Sequence, residues 1–117
     1  MIKIGTLTCL HSNNVCARVG CLKAFQNRSD FFEGYSLDTF LGAMMTCNGC
    51  KSTNTKEPDE DEGILEKIDR LVSEEIKVMH VGACRLDGKK KECPRITRIC
   101  EMLEDRGIQV VRGTHRE

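Results

Sequence analysis

Apolar and polar positions divide the chain into short elements separated by polar breaks. Ile2 to Thr8 (Ile-Lys-Ile-Gly-Thr-Leu-Thr) alternates and is rich in strand formers, which predicts a first strand. Asn13-Asn14 marks a loop, and Ala17 to Gln26 predicts a short helix with Leu22 and Phe25 on its apolar side, broken by Arg28-Ser29-Asp30. Thr39 to Met45 is a continuous apolar run of strand length, which predicts a strand covered on both faces. Lys51 to Glu62 holds no apolar residue except Pro58 and predicts a mobile, solvated loop whose acidic run is hydrated surface. Ile64, Leu65, Ile68, Leu71 and Val72 recur at helical spacing over 63–75. Ile76 to Ala83 predicts a third strand, Asp87-Gly88 a turn, and Lys89-Lys90-Lys91 an exposed run. Ile96, Ile99, Cys100 and Leu103 predict a helix over 94–106, with Pro94 in its first turn and Gly107 just past its end. Ile108 to Arg112 predicts a fourth strand.

Strands that alternate with helices in this way imply an α/β domain. Its sheet is parallel and four-stranded, with right-handed crossovers and helices on both faces. The expected strand order is 2-1-3-4, the beginning of a flavodoxin-like or Rossmann-like sheet, in one domain over 1–117. No Gly-x-Gly-x-x-Gly follows the first strand; Cys9-Leu10-His11-Ser12-Asn13-Asn14 stands there instead, so neither a nucleotide nor a flavin is expected. The 18 basic and 18 acidic side chains leave no net charge, which removes the general positive field that nucleic acid or an anionic membrane requires. No apolar run approaches the roughly 20 residues of a membrane span, and no export signal is recognisable, so a cytoplasmic location is expected.

Eight cysteines in 117 residues change the picture. In a cytoplasmic chain such a number points to metal binding or thiol chemistry rather than to disulfides. Cys9, Cys47 and Cys84 each end a predicted strand, and His115 follows the fourth by a few residues. Parallel strands bring their C-terminal ends to one edge of the sheet, where open α/β folds bind ligands. With neighbouring strands about 4.8 Å apart and the first strand between the second and third, three sulfurs can converge. Cys16 and Cys21 form a C-x4-C pair in the same neighbourhood, Cys47-Asn48-Gly49-Cys50 is a C-x2-C knuckle, and Cys93 stands at the mouth of the third helix, where the helix dipole favours a thiolate. Cys100 shares an apolar face and reads as a core residue. His80, inside the third strand, reads as a hydrogen-bonded core histidine, and His11 as a solvated loop residue. The candidate ligands are Cys9, Cys16, Cys21, Cys47, Cys50, Cys84, Cys93 and His115.

These residues, in this order, resemble the CGGC-domain proteins, small cysteine-rich proteins found largely in anaerobes. The resemblance rests on Lys3-Ile4-Gly5 leading to Cys9; the Cys16/Cys21 pair; Phe32-Glu33-Gly34-Tyr35; Cys47-Asn48-Gly49-Cys50; Val78-Met79-His80-Val81-Gly82-Ala83-Cys84; Cys93-Pro94; and Gly113-Thr114-His115. It spans nearly the whole chain and implies metal binding through cysteines and histidines. Asn48 replaces the first central glycine, which still permits the knuckle because Asn tolerates left-handed backbone angles. Arg95 stands where the resemblance implies a histidine, which removes one nitrogen ligand. The 51–62 loop is longer than usual.

Zinc accepts four cysteines, or three and a histidine, and is the leading cofactor expected from the resemblance and the imidazoles. An iron–sulfur cluster takes four cysteines and is the alternative. A thiol–disulfide oxidoreductase built on Cys47 and Cys50 is a second class, although Lys51-Ser52-Thr53-Asn54-Thr55 does not look like the helix that such pairs open. A non-enzymatic metal carrier or sensor is a third. Phosphatase-like chemistry has only Cys100 and Arg106 at phosphate-loop spacing, both inside a predicted helix whose amides are already bonded.

Overall fold

The computed structural model describes residues 1–116; only the final residue of the expected 1–117 domain lies outside. Four strands form, β1 (Lys3–Thr8), β2 (Phe40–Thr46), β3 (Ile76–Val81) and β4 (Gln109–Arg112), with helices α1 (Val19–Asn27), α2 (Glu62–Ser73) and α3 (Pro94–Asp105) between them. All three pairings are parallel, and the order across the sheet is β2-β1-β3-β4. The order follows from the connections. The chain steps one way from β1 to β2, then crosses back over β1 to β3 and continues to β4. Right-handed crossovers put α1 on one face and α2 and α3 on the other when the direction reverses.

The core bears this out. On one face Leu7, Met45, Met79 and Val81 pack against Ile64, Ile68 and Leu71 of α2 and Ile96, Ile99, Cys100 and Leu103 of α3. On the other, Ile4 and Val78 pack with Ala24 of α1 and Phe32, which sits in a 3-10 turn before β2. Of the residues expected on the inner stripe of α2, Leu65 is exposed and Val72 only partly buried. Gly107, at φ +81°, follows α3 as expected.

Two expectations need correction. The apolar run before Cys47 is not covered on both faces. It is the edge strand β2, and Phe40 and Met44 stay 54% and 55% exposed while Met45 turns inward. A continuous apolar run is compatible with either position. The acidic run after Cys50 is not wholly hydrated surface either. Pro58 and Asp61 are buried, and Arg98 pairs with Asp59 at 2.7 Å. Two 3-10 turns, Lys51–Thr53 and Pro58–Glu60, shape the segment. No helix among the described residues is long and apolar enough to cross a membrane.

Candidate metal centre

β1 ends at Thr8, and the chain turns at Cys9 into a 3-10 turn over Leu10–Asn14. At this turn the Ser12 amide donates to Cys9 O at 3.3 Å, and the amides of Cys9 and Leu10 are left for other acceptors. They are aimed at sulfur. The Cys9 amide donates to Cys84 Sγ at 3.1 Å, and the Leu10 amide to Cys47 Sγ at 3.5 Å. The amides of Ser12 and His11 lie against the thiol of Cys9 itself. Two amides thus donate to sulfur, and three thiols come to this edge: Cys9 and Cys47 directly after β1 and β2, and Cys84, which does not end β3 as expected but sits in the 3-10 turn Ala83–Arg85, beyond the strand. The Cys9 thiol is raised on balance: burial pushes it up most, the Ser12 and His11 amides pull it down, and negative charge at Cys47 or Cys84 adds to the rise.

Cys93 adjoins the group. It stands at the N-terminus of α3 without a side-chain capping bond, and its amide donates to the carbonyl of Arg85, the neighbour of Cys84, at 2.7 Å. Cys9, Cys47 and Cys93 all border the same apolar cluster.

The knuckle after β2 is held by its surroundings. Asn48 and Gly49 both take positive φ, +65° and +87°. A side chain at Gly49 would meet Thr53 Oγ1 at 2.7 Å, so the turn excludes a Cβ. Lys67 donates to Thr46 O and Asn48 Oδ1 on either side of Cys47. Burial lowers the Lys67 ammonium, against the pull of Cys47 and Asp61. Arg95 donates from Nε to Cys47 O and from Nη2 to Asp61 Oδ2, both at 2.7 Å. The residue that replaces an expected nitrogen ligand therefore clamps the backbone of the knuckle. Residue spacing carries no signal for Lys67 or Asp61, whose roles depend on the packing of α2 against the end of β2.

The other candidates lie in separate groups. Cys50 Sγ faces His11 Nδ1 at 3.9 Å, and His11 Nε2 meets Thr53 Oγ1 at 3.1 Å. His11 is exposed as expected, yet it is a neighbour of a thiol; its place beside Cys9, on the loop at the same sheet edge, was the available signal. Cys21 is buried against Thr114 Oγ1 at 3.1 Å, with His115 Nδ1 at 3.7 Å. Cys16 is exposed, and the Arg18 amide and guanidinium lower its thiol. Cys100 is fully buried, and burial pushes it up to about 11. His80 is a core residue: Nδ1 donates to Gly113 O, and Nε2 accepts from Tyr35 Oη, both at 2.8 Å.

All eight cysteines are free thiols. Among the described residues no three His, Cys, Asp or Glu side chains are already gathered tightly enough to hold an ion. The donor set nonetheless suits a soft metal: thiols gathered at one sheet edge, with backbone amides turned toward the sulfurs of Cys84 and Cys47 in the manner of the outer-shell bonds that orient metal ligands. No curated protein and no solved structure matches the chain. The family model for the CGGC domain matches residues 3–115, which takes in every strand, all eight cysteines and the terminal Gly113-Thr114-His115. The chain belongs to the CGGC-domain family.

Proposed function

We propose that the protein binds zinc through Cys9, Cys47, Cys84 and Cys93 at the C-terminal edge of the sheet. The observation that carries this reading is the pair of successive amides, Cys9 and Leu10, that donate to the sulfurs of Cys84 and Cys47. Amides so placed stabilise thiolate over thiol, and thiolate is the form that ligates. Cys9 and Cys47 stand directly after β1 and β2, Cys84 in the turn after β3 and Cys93 at the start of α3, so closing the sulfurs around an ion asks for adjustment of side chains and of these turns and not for movement of the sheet. Lys67 and Arg95 bring positive charge to a site where four thiolates exceed the charge of a divalent ion by two. A site closed by four protein ligands is non-catalytic, which favours storage, delivery or sensing of metal. Cys50 with His11, and Cys21 with His115, remain as reserve donors outside this quartet, as does Cys16.

A second reading is an iron–sulfur cluster on the same four thiols, favoured by the absence of an imidazole in the quartet. The thiol-redox reading is weakened by geometry. Cys47 Sγ takes the Leu10 amide while Cys50 Sγ faces His11, and the three residues after Cys50 make a 3-10 turn instead of an α-helix.

Metal analysis with absorption spectra on anaerobically purified protein tests the proposal. About one colourless zinc per chain is expected. Brown charge-transfer bands would transfer the quartet to a cluster. Reduced protein that holds no metal after reconstitution overturns both.

A further inference from the structure

The open edge of the sheet is unusually bare. β2 reads Phe-Leu-Gly-Ala-Met-Met-Thr, without a charge or a proline, and charges and prolines are the usual devices that keep an edge strand from pairing. The Phe40 amide donates to Ile2 O and the Cys47 amide to Thr8 O, so both point toward β1. Counting back from Cys47, alternation turns the backbone groups of Met45 and Ala43 toward β1 and those of Met44 and Thr46 outward. Lys67 already covers Thr46 O, which leaves the Met44 amide and carbonyl at the centre of the open edge. A bulge at Gly42 bends the strand just before this stretch.

Apolar surface gathers at the same place. Leu37, Phe40 and Met44 are exposed on the edge strand and its lead-in. Between the edge and α2 runs a groove of about 440 Å³, lined by Ala43, Met44, Leu71 and the α2 residues Glu66, Lys67 and Arg70. Glu66 and Arg70 lie one turn apart on the exposed side of α2 and have no ion-pair partner among the described residues. Opposite charges one turn apart on one helix face are self-complementary: a second copy of the helix, run antiparallel, sets Glu66 against Arg70 twice.

We propose that two copies of this chain associate through antiparallel pairing of their β2 strands about a two-fold axis at Met44. Met44 of each copy exchanges its amide and carbonyl with Met44 of the other, and the two sheets join into one of eight strands. The exposed Met44 side chains meet across the axis, and two Glu66–Arg70 pairs flank it. The charge pattern selects a second copy over an unrelated strand, since both halves of the complement are on this chain. The metal centre at the strand ends takes no part.

Sedimentation equilibrium of the full chain in a reducing buffer tests this, the reductant excluding dimers bridged by the exposed Cys16. A dimer mass is expected. Met44→Lys, at an exposed position, should give a monomer with unchanged circular dichroism. Glu66→Arg sets like charges together twice and should weaken dimerisation at least tenfold, and adding Arg70→Glu to that variant should restore it. A wild-type monomer mass at all concentrations reached, a dimer that survives Met44→Lys, or a double variant no tighter than Glu66→Arg alone would overturn the proposal.

Discussion

The thiol of Cys100 lies with Ile96, Ile99 and Leu103 in the core and is pushed up to about 11 by burial, so it stays protonated at neutral pH. Cys16 is the opposite case, exposed and lowered chiefly by the Arg18 amide and then by its guanidinium. Alkylation of the native protein by iodoacetamide at neutral pH, followed by peptide mass spectrometry, should therefore label Cys16 first and Cys100 last. Arg18→Ala should slow Cys16 only in part, because the amide remains. His80 carries a second residue-scale prediction. Burial lowers it, against the pull of the Gly113 carbonyl, so it binds its proton more weakly in the folded chain than in the unfolded one. Its contribution to stability is complete above the ordinary value of about 6.5 and is lost as pH falls below that toward the folded value. His80→Leu should flatten this acid limb in urea titrations run across pH. It should also cost about 1–3 kcal/mol, because Tyr35 Oη and Gly113 O lose their partner.

At the scale of elements, Asp61 joins the start of α2 to the knuckle after β2. Oδ1 accepts from the amides of Gly63 and Ile64, and Oδ2 from Asn54 and Arg95. The Asp61 and Arg95 side chains are almost fully buried, so leaving one without the other is costly. Asp61→Ala should lose about 3–5 kcal/mol by denaturant midpoint. Asp61→Asn keeps the cap and should lose less. This connection also marks what the sequence could reveal. The strands, helices and their order were legible because period-two and helical apolar spacing are local signals. The strand-end rule pointed to the right sheet edge for Cys9 and Cys47, while Cys84 reaches it from a 3-10 turn beyond β3 that the spacing did not reveal. The edge position of β2 was not legible, because a continuous apolar run looks alike at the centre and the margin of a sheet. Nor was the burial of Asp61, whose partner Arg95 is 34 residues away. The division of the remaining thiols into Cys50 with His11 and Cys21 with His115 depends on the direction of loops, which periodicity does not encode.

At the scale of the whole molecule, the four proposed ligands come from the ends of β1 and β2, the turn after β3 and the start of α3, so an ion held by them cross-links most of the sheet to its largest helical face. An ion that binds the folded chain and not the unfolded one stabilises it by about 2.7 kcal/mol when free zinc is a hundred times the dissociation constant. Thermal unfolding followed by circular dichroism should therefore shift upward with zinc in the wild type. The shift should vanish in Cys9→Ser, Cys47→Ser and Cys84→Ser and persist in Cys100→Ser, whose sulfur is sealed in the core. Lys67→Met is the discriminating variant. It keeps every sulfur but removes the ammonium bonded on both sides of Cys47, so it should retain a shift while weakening zinc about tenfold to a hundredfold. An undiminished affinity in Lys67→Met would mean that the charge on α2 holds only the backbone of the knuckle and has no hold on the thiolates beside it.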